Sequence, residues 1–253
     1  MSNGKKKLLF GIAGLVLIGI LVALYMLFLS SPKPFPDREK LVDEINRVYR
    51  DGAAQDIQDV IYLDHKNVYV PFVSASDEYS MSVWEWKYNK WKLIYVTTEG
   101  MPILWLLDRN DPSAHRILWN LHPDDGVDAL QLYLINNRGY QISHRSNQVY
   151  DSIYTPKVQV DHRISLQQSS YGAMALPDEW ITINKELEQL KKVNQSYMLP
   201  MQSVTSNIRV NTYDKDNHVV FPERSVNGRS YSNGRLHYQF IMFINESDIE
   251  MMQ

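Results

Sequence analysis

From Leu8 to Leu29 the chain reads LLFGIAGLVLIGILVALYMLFL, with no charge and no strongly polar side chain. At about 1.5 Å rise per residue a helix over this run is roughly 33 Å long, enough for a hydrocarbon core of about 30 Å. The pattern predicts a membrane helix, because a buried helix of a globular domain rarely needs an apolar surface all round. A cleaved signal has a shorter apolar region ending in small residues, whereas Tyr25 to Leu29 is bulky. The expectation is an uncleaved, single-pass anchor contacting the lipid bilayer through residues 8–29. Lys5, Lys6 and Lys7 precede the run, so the short N-terminus is expected in the cytoplasm and the remainder outside, in the cell envelope.

Beyond the run the pattern changes to short alternating segments. Pro32, Pro34 and Pro36 predict an extended spacer. Asp37 is placed to cap a first helix, in which Leu41, Val42, Ile45, Val48 and Tyr49 recur at helical spacing before Asp51-Gly52. A second helix is expected from Pro177-Asp178 to about Asn194, with Trp180, Ile183, Leu187, Leu190 and Val193 along one stripe.

Most of the rest predicts β-hairpins. Turn signals stand at Asp64–Asn67, Asn136–Gly139, Asp214–Asn217 and Asn233-Gly234, each between β-branched and aromatic runs. Their spacing is irregular, which argues against a propeller or solenoid. The expected class is α+β: a transmembrane helix followed by an antiparallel, hairpin-rich extracytoplasmic domain with two amphipathic helices. The boundaries are a cytoplasmic end at 1–7, the anchor at 8–29, a spacer at 30–36 and the domain at 37–253.

One hairpin stands out: VWEWKYNKWKLIYV, Val83 to Val96, holds three tryptophans and two tyrosines. A two-residue turn at Asn89-Lys90 pairs Tyr88 with Trp91, Trp86 with Leu93 and Trp84 with Tyr95. All six side chains then share one face. So large an apolar face exceeds what a stable monomer exposes, and core is the expected place for it. An open ligand platform is the competing reading.

Charge and composition narrow the partners. Three of the 26 lysines and arginines precede the apolar run and none of the 29 acidic residues does, so residues 32–253 carry a net charge of −6. A nucleic-acid partner, which requires a basic surface, is not expected. The chain has no cysteine, which excludes thiol nucleophiles and disulfides and suits an exported bacterial domain.

No catalytic constellation emerges. Asp108, Asp111, His115, His122, Asp124, Asp125 and Asp128 cluster in sequence but match no zinc or calcium spacing, and prolines break the stretch. Turn and helix-start chemistry accounts for Asp111-Pro112-Ser113 and for His122-Pro123-Asp124-Asp125-Gly126. The loop beginning Asp214, Asp216, His218 has Val219 where a calcium loop needs glycine and Ser225 where it needs glutamate. Ser169 and Ser170 lack a sequence partner, and no phosphate loop or nucleophile elbow occurs. No cofactor and no metal are expected.

The expected function is binding, as an accessory or sensor component of the envelope. Its candidate ligand contacts are Trp84, Trp86, Trp91, Trp105 and Trp119, since aromatic faces stack on sugars and fill protein hot spots. An envelope glycan or a membrane protein is the expected partner. A hydrolase drawing acid or base from Asp108, Asp111, His115 or Glu85 is the first alternative. A structural subunit is the second, its anchor packing through Gly11, Ala13, Gly14 and Gly19.

Overall fold

The computed structural model describes residues 4, 11–21, 31–136, 139–145, 149–155, 157–194, 208–234 and 237–244. About 41% of the chain is strand, so the fold is sheet-rich. Helix α1 (Arg38–Val48) comes first; the Asp37 side chain caps it by accepting from the Lys40 N–H at 3.1 Å. Five strands follow: β1 (Ala54–Ile57), β2 (Ile61–Tyr62), β3 (Asn67–Ser74), β4 (Tyr79–Trp86) and β5 (Trp91–Thr97). Then come β6 (Ile103–Leu106), β7 (His115–Asn120), β8 (Ala129–Asn136), β9 (Gly139–Arg145), β10 (Val149–Thr155), β11 (Val158–Ser165) and β12 (Tyr171–Ala175). Helix α2 (Asp178–Asn194) precedes β13 (Ile208–Tyr213), β14 (Ser230–Ser232), β15 (Tyr238–Phe240) and β16 (Met242–Phe243).

The strands form stacked sheets. The first runs β1-β3-β4-β5-β14, with β2 also on β3; the second runs β12-β7-β6-β15; the third runs β11-β8-β13-β16. One face of the first sheet is closed by α1, where Leu41 and Ile45 join Val68, Val70, Phe72, Trp84 and Leu93. Its other face packs Tyr69, Met81, Val83 and Tyr95 against Ile103, Trp105 and Leu118 of the second sheet. The second sheet is buried on both sides, since Leu104, Ile117 and Trp119 face the largest core, with Leu130, Leu132 and Leu134 of the third sheet and Trp180 of α2. Strands covered on both faces lose the apolar–polar alternation, and β6 and β8 are buried at every position. Two polar ties join the first two sheets: the Tyr69 hydroxyl donates to the Trp119 carbonyl at 2.8 Å, and Asn120 Nδ2 donates to the Ser80 carbonyl at 2.7 Å.

The expectation of a membrane-spanning helix over residues 8–29 is corrected. Among the described residues no helix is long and apolar enough to cross a membrane. The helical residues described there are 11–21, which rise only about 16 Å, roughly half of a hydrocarbon core; the rest of the run lies outside the described residues. With it go the single-pass assignment, the orientation and the localisation that depended on it. The proline-rich residues 31–36 are not a free spacer either. Phe35 packs edge-on against Trp84 and Trp91, with centroids 5.8 and 4.9 Å apart.

Two turn signals join strands that do not pair with each other. β8 pairs with β11 and β13, while β9 pairs with β10. From Asn136 opposite Val158 to Gly139 opposite Thr155 each strand advances equally, so the two ladders keep one register. Residues 137 and 138, the centre of the expected turn, lie outside the described residues. Asn233-Gly234 likewise links β14 in the first sheet to β15 in the second. Residues Tyr171–Ala175 form strand β12 on the edge of the second sheet, and Gly172 sits opposite Trp119. A Cβ there would lie 2.4 Å from the indole, so only glycine fits.

Candidate functional site: a cationic groove beside Trp91

The aromatic hairpin turns one residue earlier than expected. Tyr88 and Asn89 have positive φ, 55° and 61°, and Lys87 N–H donates to the Lys90 carbonyl at 2.9 Å. Positive φ at both central residues matches the right-handed strand twist of a two-residue hairpin. Trp86 therefore faces Trp91 and Trp84 faces Leu93; a register shift at Ile94 then sends Tyr95 to the opposite face beside Val83. Of the six side chains expected on one face, Trp84 and Leu93 join the core under α1 with Trp91 at its edge, Tyr95 joins the core between the first two sheets, and Tyr88 is exposed.

The five candidate tryptophans do not form one site. Trp84 and Trp105 are 2% exposed, Trp86 and Trp119 6%, so four are structural. Trp105 sits between the first two sheets and Trp119 in the largest core. Trp91 differs. It is half-buried on the rim of an open groove of about 530 Å³. Its indole Nε1 donates to the Lys33 carbonyl at 2.9 Å, and Phe35 meets its ring at 85°. The indole is thus held in place, and what it offers a ligand is ring surface, its N–H being already used.

The groove lies between α1 and the tip of the β4–β5 hairpin. Trp84 and Leu93 contribute apolar surface to it, and Tyr231 of β14 also lines it. Lys40, Glu44 and Arg47 recur along α1 at the spacing of one helix face, while Lys90 and Lys92 line the hairpin side. Lys40 ion-pairs with Asp37, which lowers the Asp37 pKa and raises that of Lys40 through their side-chain hydrogen bond. Glu44 binds Arg47 through Nε at 2.8 Å and raises its pKa. Sequence reasoning did not assemble these residues, because the four strands β1 to β4 separate α1 from the hairpin tip and the two meet only when α1 folds over the sheet.

The second polar constellation closes on itself. His122, almost fully buried, lies with Nε2 3.1 Å from Asp77 Oδ2, and its Nδ1 accepts from the Asp124 N–H at 3.0 Å. The proton on this neutral ring therefore sits on Nε2 and is donated to Asp77. Arg224 donates to Asp77 Oδ2 at 2.8 Å and to Asp124 Oδ2 at 2.7 Å. The Asp77 pKa is lowered by the hydrogen bonds from His122 and Arg224. Asp77, His122 and Asp124 stand close enough to share a cation, but the guanidinium already takes both carboxylates and the imidazole has no spare lone pair. Ser225 is not activated by this histidine: its hydroxyl donates to Asp125 Oδ2 and accepts from the His122 backbone N–H at 2.8 Å. The arrangement ties three loops together.

Of the residues of the hydrolase alternative, Asp108, Asp111 and His115 lie in or at the end of the β6–β7 connection, where turn contacts occupy them, and Glu85 lies apart on β4. Asp111 caps a short 3₁₀ turn at Pro112–Ala114, and the Ser113 hydroxyl and N–H lower its pKa, making it a poor proton donor. His115 is buried with Nε2 at 2.9 Å from the Asp108 carbonyl. Glu85 lies on β4 and pairs with Lys87 at 3.8 Å. Asp214 accepts from the backbone N–H groups of Asp216 and His218 at 2.9 and 2.8 Å, which is turn chemistry. Comparison of the chain with protein-family models, with curated proteins and with solved structures returns no match in any of the three.

Proposed function

We propose that the chain is a binding domain whose ligand, a glycan, lies in the groove between α1 and the β4–β5 hairpin. The observation that carries this reading is Trp91: of the five clustered tryptophans it is the one held rigid at the rim of an open groove. A fixed indole face with its N–H already satisfied suits stacking on a sugar ring, and its immobilisation lowers the ordering cost of binding. The groove, at 530 Å³, falls within the usual size of small-ligand sites of about 300–1,000 Å³.

The test is sedimentation of the purified chain with insoluble cell-wall glycan. Retention that disappears in Trp91→Ala, while circular dichroism is unchanged, supports the reading. Retention of Trp91→Ala equal to that of the parent protein overturns it, and release of soluble sugar by the parent protein would favour a hydrolase.

A further inference from the structure

We infer that the groove takes a linear, neutral glycan lengthwise and grips it with an aromatic ring at each end, Trp91 at one and Tyr231 at the other; this rests on the reading of the groove as a glycan site. Strand register places the second ring. Tyr231 of β14 stands opposite Val96 of β5, and directly opposed residues share one face of a sheet. Val96 packs with Leu41 and Ile45 in the core under α1, so Tyr231 is on the face that α1 covers, as Trp91 is. Tyr231 lines the groove, and its ring is stacked on Tyr49 just past the end of α1, with centroids 6.2 Å apart and planes at 26°. Trp91 is held near the start of the helix, by Phe35 and the Lys33 carbonyl. The two rings therefore mark opposite ends of one channel.

Two rulers give the length of that channel. From Trp91 to Val96 along β5 is about 16 Å at roughly 3.3 Å per residue, a little less for the irregularity at Ile94. On the opposite wall the lining residues run from Pro36 to Val48, and the 11 residues of α1 rise about 16 Å. With single bonds of about 1.5 Å, a sugar ring and its bridging oxygen advance a chain by roughly 5 Å, so the channel takes about three rings. A monosaccharide reaches only one of the two aromatic ends. The α1 wall supplies polar contacts without net charge. Lys40 is paired with Asp37 and Arg47 with Glu44, so these four charges cancel. Bonding capacity is left over: Glu44 takes Nε and one terminal nitrogen of Arg47, but a guanidinium has five donors and a carboxylate about four acceptor positions. Sugar hydroxyls both donate and accept, so a neutral chain uses both kinds of group, whereas an anionic chain finds no unpaired cation on this wall.

Isothermal titration calorimetry of the full chain with N-acetylglucosamine and with linear chito-oligosaccharides of two to six rings tests the length directly. Affinity should rise steeply up to about three rings and then level off, because the second aromatic contact is made within an already bound chain. Tyr231→Ala should weaken chitotetraose roughly tenfold and change chitobiose, too short to reach both ends, by about twofold or less. Tyr231→Phe, which keeps the ring, should bind as the parent does. The length series needs no variant, so it decides the matter if Tyr231→Ala perturbs the fold. Equal affinity for one ring and for six, or chitotetraose bound by a folded Tyr231→Ala as tightly as by the parent, overturns the lengthwise reading and leaves the Trp91 site standing. Hexagalacturonate bound more tightly than chitohexaose overturns the neutral assignment. Chitotetraose binding indifferent to Trp91→Ala overturns the groove reading itself, and no binding of chitohexaose overturns the inference.

Discussion

Trp84 and Trp91 lie on neighbouring strands of one hairpin and share a chemistry, yet their truncation should cost the fold very different amounts. Trp84 is 2% exposed, and it lies in the cluster that α1 forms with the first sheet. An aromatic side chain of this kind buries about 150–250 Å², worth roughly 4–6 kcal/mol at about 25 cal/mol per Å². That is an upper figure, because the unfolded chain already hides part of this surface. Measured Phe and Trp truncations cost about 3–5 kcal/mol. Its Nε1 donates to Ser82 Oγ at 3.1 Å, and Ser82 keeps its own bond to the Val70 carbonyl, so loss of the indole strands no donor. The expected cost of Trp84→Ala is about 4 kcal/mol, or a fall in Tm of roughly 8–16 °C for a domain of this size. Trp91→Ala loses partial burial and the bond to Lys33, for about 1–2 kcal/mol. Urea unfolding followed by far-ultraviolet circular dichroism measures both. Equal losses for the two variants, or less than about 1.5 kcal/mol for Trp84→Ala, would refute the division of the hairpin into a core residue and a groove residue.

Three further outcomes follow from other parts of the structure. Asn184 on α2 is fully buried, and among the described residues neither atom of its amide has a hydrogen-bond partner; such groups cost about 1–3 kcal/mol each, so Asn184→Leu should raise the urea midpoint, and a lowered midpoint would mean the amide has a partner. Gly172→Ala should destabilise by about 1–3 kcal/mol through the collision with Trp119, accompanied by a change in near-ultraviolet dichroism; an unchanged spectrum and stability would contradict the contact. The Asp77 carboxyl, whose folded pKa is held below its ordinary 3.8 by His122 and Arg224, contributes stability that is present above that value and lost as pH falls through the folded pKa. Asp77→Asn should therefore lower stability at neutral pH and converge with the parent protein as pH falls through the depressed folded pKa; a gap that stays constant through the whole acid limb would show that the charge is not the cause.

Local chemistry along the chain was enough to place many elements. Asp37 and the spacing of Leu41 and Ile45 define α1, because a cap and an apolar face act within a few residues. Pro177, the acidic first turn and Trp180 do the same for α2. Asp111-Pro112 and His122-Pro123 end in short 3₁₀ turns for the same reason. What each strand pairs with was not legible in this way. Asn136–Gly139 and Asn233-Gly234 carry turn chemistry, but whether the chain folds back on itself or crosses to another sheet depends on which apolar surfaces remain uncovered elsewhere. A turn at Tyr88-Asn89 in place of Asn89-Lys90 moved every cross-strand partner, and the shift at Ile94 then put Tyr95 in a different core from Trp84.

By itself the sequence determined the helix faces, the strand-forming segments, the charge balance and the absence of thiol chemistry, all of them local or additive properties. The tertiary structure decided that four of the five clustered tryptophans are core, and that the proline-rich segment is spent on covering Trp91 and Trp84. It also decided that the hairpin tip, with Lys90 and Trp91, meets α1 across one groove. These depend on contacts between residues dozens of positions apart, set by how three sheets and two helices compete to bury the same apolar surface.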